Sequence, residues 1–250
     1  PNGWGRLTAD LPLAVVGDAP LRITADAHQP VQHHLYGTLT IRHAPGGVVD
    51  VAVQVERRDA GHVAPVRLTA IGLPPAIPNA SAVIPAGESS GFVSFALPRT
   101  LPLGKYSFAI AAETTVLGAG GKPEPATTVS NPVTIEVQPP VFELSIDPFA
   151  PTRAKRGEVI QIKYSARRVK GFIGKIHTEL AAPGKITDVV GLRGRGETFV
   201  GQTDKGSLQI IVNDDAPLGR QPFLRLLSVG VVEDQPIYHG ASFVELEIVE

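Results

Sequence analysis

Cysteine and methionine are both absent from this sequence, tryptophan occurs once, and aromatics make up 6% of the 250 residues. Without cysteine there are no disulfides, no thiolate nucleophile and no cysteine-ligated zinc or iron–sulfur centre. Few aromatics leave little to stack on bases. Neither sign of charge prevails: 23 Lys and Arg face 24 Asp and Glu, for a net charge of −1. No overall field then draws in nucleic acid or anionic lipid, and no nucleic-acid partner is expected. No apolar run approaches the roughly 18 residues of a membrane span, so membrane insertion is not expected, and no signal peptide is recognisable. A chain that starts at Pro1 and lacks Met reads as an excised or processed part of a longer protein.

What the chain does have is 43% hydrophobic residues, 26 Gly and 23 Pro. That is enough apolar material for real cores, cut into short strands by turn residues. The length is too great for one seven-strand sandwich and suits two. Asn131–Asp147 (NPVTIEVQPPVFELSID) orders the chain: an alternating strand, a Pro-Pro joint, then a second alternating strand. The pattern occurs earlier in Leu11–Asp26, and its first part returns in Ser242–Glu250. Residues 1–17 are therefore read as a lead-in and the last strand of a preceding repeat. Residues 18–138 and 139–250 are read as two β domains.

Strand periodicity is clearest in Val48–Arg57, where Val49, Val51, Val53 and Val55 alternate with Asp50, Ala52, Gln54 and Glu56. Period two over four cycles predicts a strand buried on one face. Gly118–Thr127 (GAGGKPEPAT) reads as a long exposed loop, and its glycines lack the spacing of a phosphate-binding loop. Glu56–Leu68 aligns with Ala166–Thr178 at an offset of 110, pairing Arg57 with Arg167 and Arg58 with Arg168. Gly91, Val93, Phe95 and Leu97 align with Gly206, Leu208, Ile210 and Val212 at an offset of 115. A duplicated unit of about 110 residues without helical periodicity predicts an all-β chain of two tandem immunoglobulin-like antiparallel β-sandwiches.

The succession of Arg167, Arg168 and Gly-Phe-x-Gly-x-Ile, with Gly-Leu-Pro, Pro-Ala-Gly and Pro-Leu-Gly turns, resembles the immunoglobulin-like repeats of long exported bacterial proteins. The resemblance implies a spacer or adhesive module that is not an enzyme and carries no cofactor. It also implies an extracytoplasmic location: periplasm, cell surface or secreted. Partners would be a protein, a surface polysaccharide or other domains of the parent chain.

Several constellations invite chemistry. GESSG (Gly87–Gly91) matches the nucleophile elbow of serine hydrolases at Ser89, but an alternating strand follows where that elbow needs a helix, so a hairpin turn is expected. Four of the seven histidines, His28, His33, His34 and His43, fall in one segment. Asp26 to Arg57 spans 31 positions whereas Asp147 to Arg167 spans 20, so the first half carries an insertion there. These histidines are candidate zinc-type ligands only if the chain folds back near Gly37, since in an extended strand His33 and His34 face opposite sides; a purely structural hairpin is the favoured alternative. Asp214 and Asp215 are candidate calcium ligands near a turn, with solvated turn carboxylates as the alternative. Residues 139–176 hold 8 Lys and Arg against 3 Asp and Glu, and residues 177–250 hold 6 against 11. If Arg153, Lys155, Arg156, Arg167, Arg168, Lys170 and Lys175 shared a face, they would attract an acidic partner such as an anionic polysaccharide or a neighbouring domain's acidic end; the insertion with its aromatic Tyr36 is the other candidate polysaccharide contact. The alternative is edge charges that block strand-to-strand aggregation.

Overall fold

The computed structural model describes residues 20–59, 61–169, 171–186, 188–199 and 205–250. The strand Leu11–Val16 and Lys170 lie outside them. Among the described residues the chain is all-β, with no α-helix and a single 3-10 turn at Ala119–Gly121.

In the first half the strands are β1 (Leu21–Asp26), β2 (Val31–His33), β3 (Gly37–Leu39), β4 (Val48–Arg57), β5 (Val66–Ile71), β6 (Ser81–Ile84), β7 (Ser90–Ala96), β8 (Gly104–Leu117), β9 (Pro123–Val129) and β10 (Val133–Val137). They form a sheet β1-β4-β7, a second sheet β10-β8-β5-β6 with β9 added to β8, and a separate hairpin β2-β3. The two larger sheets enclose one core. Val49, Val51, Val53 and Val55 of β4 face Val66 and Leu68 of β5 and Ile110 of β8 across it. The four valines of the period-two pattern are thus the inward face of β4, but Val48 and Ala52 on the opposite face are buried as well, and each fully buried Val, Leu or Ile contributes about 1.5–3 kcal/mol.

The second half contains β11 (Phe142–Ile146), β12 (Arg153–Lys155), β13 (Val159–Arg168), β14 (Lys175–Ala182), β15 (Lys185–Ile186), β16 (Asp188–Val189), β17 (Leu192–Arg195), β18 (Thr198–Phe199), β19 (Lys205–Val212), β20 (Gly219–Arg220), β21 (Arg225–Val232), β22 (Gln235–Phe243) and β23 (Glu247–Val249). Sheets β11-β13-β19-β17-β16 and β15-β14-β21-β22 enclose a second core that includes Phe142, Ile162, Tyr164, Ile176, Leu208 and Leu226. Strand β12 runs parallel to β23.

The same hydrogen bonds recur in both halves. Gly46 N–H donates to Leu97 O and Gly157 N–H to Val212 O, while Arg58 N–H donates to Pro20 O and Val169 N–H to Val141 O. Gly46 and Gly157 both have φ near +80°, at 82° and 77°, where a side chain would be strained. Leu21 pairs with Arg57, and Phe142 with Arg168. Strand register thus aligns Arg57 with Arg168, one residue away from the sequence alignment; the loop that follows is one residue shorter in the second half and had absorbed the difference.

One expectation about a loop comes out differently. Residues 118–127 do not form a long loop. After the 3-10 turn, β9 returns as an edge strand paired to β8 from Ala111↔Val129 to Leu117↔Pro123. Pro123 and Pro125 signalled a break, yet an edge strand tolerates proline because its outward side needs no amide donor. The 31–39 insertion does form a hairpin that folds back at Gly37. Its hairpin packs Leu39 and Tyr36 against Val229 and Val231 of β21 in the other half.

Candidate functional site

Strand β14 alternates. Ile176, Thr178 and Leu180 point into the second core, whereas His177, Glu179 and Ala181 point to the outer face, and all six are buried. The outer face is buried because the β2-β3 hairpin of the first half lies over it. The chain turns at residues 34–36 and reverses at Gly37, whose φ is 69°. His34 therefore sits in the turn and not in the strand. Its ring stacks on His33, with centroids 5.0 Å apart and planes 9° apart, on the same side of the chain. This differs from the opposite-facing arrangement that an extended strand would give.

The result is a carboxylate surrounded by imidazoles from both halves. Glu179 Oε2 is 3.4 Å from His33 Nε2, and Glu179 Oε1 is 3.0 Å from His177 Nε2 and 3.3 Å from His34 Nε2. The ligand atoms of His33, His177 and Glu179 all lie within 4.8 Å of one another. The side chain of His33 is fully buried and that of His34 is half exposed, so the cluster is closed on the core side and open at the hairpin tip. His177 Nδ1 contacts Thr198 Oγ1 at 2.7 Å. His33 Nδ1 accepts from the amides of Leu35 at 3.0 Å and Tyr36 at 3.3 Å, while its Nε2 has no hydrogen-bond partner. Burial pushes the Glu179 carboxyl upward, but the hydrogen bond from His177 and the charges of His33, His177 and His34 bring it below its ordinary value. Burial is the main cause that lowers His33, helped by His177 and His34 and opposed by Glu179. Tyr36 is raised, chiefly by burial, and its ring packs 4.9 Å from that of His33.

The other histidines of the segment do not join this cluster. His28 is exposed and lies edge-on to His43, with ring centroids 6.1 Å apart. His43 is buried, and that burial, with the charge of His28, lowers it to about 4. Asp214 and Asp215 are exposed turn residues, and among the described residues no third His, Asp or Glu joins them.

The basic residues do not form one free face. Arg153 pairs with Glu247 at 2.8 Å, Arg167 with Glu143 at 2.7 Å, and Lys175 with Asp234 at 3.0 Å. Arg156 donates to Ala216 O at 2.8 Å, and Lys155 is exposed. Arg168 points the other way from Arg167 and donates to the carbonyls of Phe172 at 3.3 Å and Gly174 at 2.5 Å. Ser89 is exposed on a turn that leads into β7, with none of the strand-to-helix geometry of a nucleophile elbow.

His177 and Glu179 are the residues that sequence reasoning missed. Their signal lay in the partner strand. LLSVGVV (Leu226–Val232) is apolar almost without interruption, which marks a strand covered on both faces. Something had to lie over the neighbouring β14 as well.

Further contacts tie the halves together. Arg225, 3% exposed, forms an ion pair with Asp50, whose other oxygen accepts from Ser94 Oγ at 2.7 Å. Arg99 donates to Leu144 O at 2.8 Å and Ser145 Oγ at 3.1 Å. Val48 packs with Ala181, Leu227 and Ala241. An apolar cleft between the halves is lined by Val83, Phe92, Pro183, Val189, Val190 and Phe223.

Over its described residues the chain is all-β and built mainly from antiparallel sheets. No family model matches it, and no curated protein matches it. Among solved structures, a protein of unknown function from Porphyromonas gingivalis aligns over 92% of this chain and 99% of its own, at 14% identity and a TM-score of 0.27. A likeness that weak carries no argument about fold or function.

Proposed function

We propose that the chain is a non-catalytic structural and interaction module: two tandem immunoglobulin-like sandwiches, residues 18–138 and 139–250, of a longer exported bacterial protein, acting as a stiff spacer or adhesive unit. The strand orders β1-β4-β7 and β10-β8-β5-β6 agree with such a sandwich, as do the hydrogen bonds that recur 111 to 121 residues apart. The observation that carries the reading is the docking of the β2-β3 hairpin on the outer face of the β14-β21 sheet, reinforced by the Arg225–Asp50 pair. A flexible pair of beads has no use for such a clasp, whereas a spacer that transmits position needs one. The Pro139-Pro140 joint helps by fixing two φ angles. Small-angle scattering is expected to give one rigid profile, and independent tumbling of the halves would remove the spacer reading. A glycan panel is expected to give only background. Saturable polysaccharide binding would instead favour an accessory binding module, and ester or peptide hydrolysis abolished by Ser89→Ala would favour a hydrolase.

A further inference from the structure

We infer that His33, His177 and Glu179, with His34 closing the set from the solvent side, form a binding site for one transition-metal dication of the zinc class, which bolts the hairpin of the first half to the sheet of the second. Three imidazoles and one carboxylate suit zinc and its first-row neighbours, and they are too nitrogen-rich for calcium or magnesium. The unpartnered Nε2 of a fully buried His33 aims into the cluster, and an unmade bond at that depth calls for a ligand. His177 Nε2 donates to Glu179 Oε1 at 3.0 Å, so coordination has to move that proton to Nδ1, where Thr198 Oγ1 at 2.7 Å accepts it and holds the ring as a metal ligand. His33 has to change as well. Its Nδ1 accepts the Leu35 and Tyr36 amides, so the neutral ring carries its proton on Nε2. Coordination moves that proton to Nδ1, with no net loss from the ring, and releases the two amides at the hairpin tip, where exposed Leu35 gives water access.

The test uses the whole chain without an affinity tag. Zinc chloride is expected to bind with a stoichiometry of one in competition with a chromophoric chelator. At a hundredfold excess over Kd it should raise Tm on the order of 5–10 °C, reversibly with EDTA. Cobalt(II) should give the visible bands of a tetrahedral site. Glu179→Gln, which keeps the side-chain shape, and His177→Ala should each weaken binding at least about tenfold. In the unmutated chain the Leu35 and Tyr36 amide resonances should move on loading, a readout that requires no variant to fold. An unchanged Tm, zinc binding that Glu179→Gln does not weaken, or binding that leaves those two amides unmoved would each overturn the site in favour of a buried polar network or of adventitious surface histidines.

Discussion

The two halves share a strand framework and differ in what each adds to it. Between β1 and β4 the first half inserts the hairpin of residues 31–39, which reaches across to the other half. The second half adds no such hairpin there. It places β16 and β17 beside β19 and leaves the outer face of β14 and β21 apolar enough to receive the first half's hairpin. The shared framework therefore accounts for two separate cores, and the unshared segments account for their attachment. Corresponding positions make the contrast concrete. Asp50 corresponds to Gln161, since β4 and β13 run in step from Val48 and Val159; Asp50 meets a buried arginine, whereas Gln161 is exposed. His43 corresponds to Ala154, each making a parallel bridge, to Val137 and Ile248 respectively.

The largest effect is expected from breaking the clasp. Leu39→Ala empties a site 1% exposed and should cost about 2–5 kcal/mol. Calorimetry should then resolve two transitions, against the single one expected of the unmutated chain. Asp50→Ala strands the Arg225 guanidinium and should cost about 3 kcal/mol, at the low end for a broken buried pair because Phe223 O and the Phe243 ring still contact the arginine. Gln161→Ala, the matching change, should stay within about 0.5 kcal/mol in urea unfolding.

A smaller difference should appear in pH dependence. His43 is held neutral in the folded state with its pKa lowered from 6.5 to about 4, so the unfolded chain binds more protons between those values. Its contribution is complete above about pH 6.5 and is lost as pH falls toward 4, by about 2–3 kcal/mol. His43→Ala should flatten that part of the stability–pH curve; if the slope persists, the origin lies elsewhere. The smallest effect tests likeness between the halves. Arg57 donates to Ala64 O at 2.8 Å and Glu88 O at 3.0 Å, and Arg168 to Phe172 O and Gly174 O, so each clamps the loop after its strand. Arg57→Ala and Arg168→Ala should each cost about 1.5 kcal/mol, while Arg167→Ala should cost little because that side chain is solvated. Equal losses from Arg167→Ala and Arg168→Ala would contradict the strand register.

The alternation of Val49 to Val55 was legible because one face of a strand meets one core, and a period of two is a local property. The proposed duplication rests on local turn and strand signals too, and strand register moves its alignment by one residue at Arg57, where the following loops differ in length. Residues 123–129 were misread because an edge strand needs neither apolar alternation nor a full set of amide donors. The histidine cluster was half legible: His33 and His34 stood out by composition, whereas His177 and Glu179 looked like ordinary members of a strand.

The sequence by itself determined that this protein is made of strands, the placing of several of them such as β1, β4, β7 and β10, and the apolar side of β4, since turn residues and period two act over a few residues. Only the tertiary structure decided that an inserted hairpin would cover the second half's sheet and bring His33 to Glu179. That contact joins side chains nearly 150 positions apart, and its stabilisation comes from burying a face whose partner no local pattern identifies.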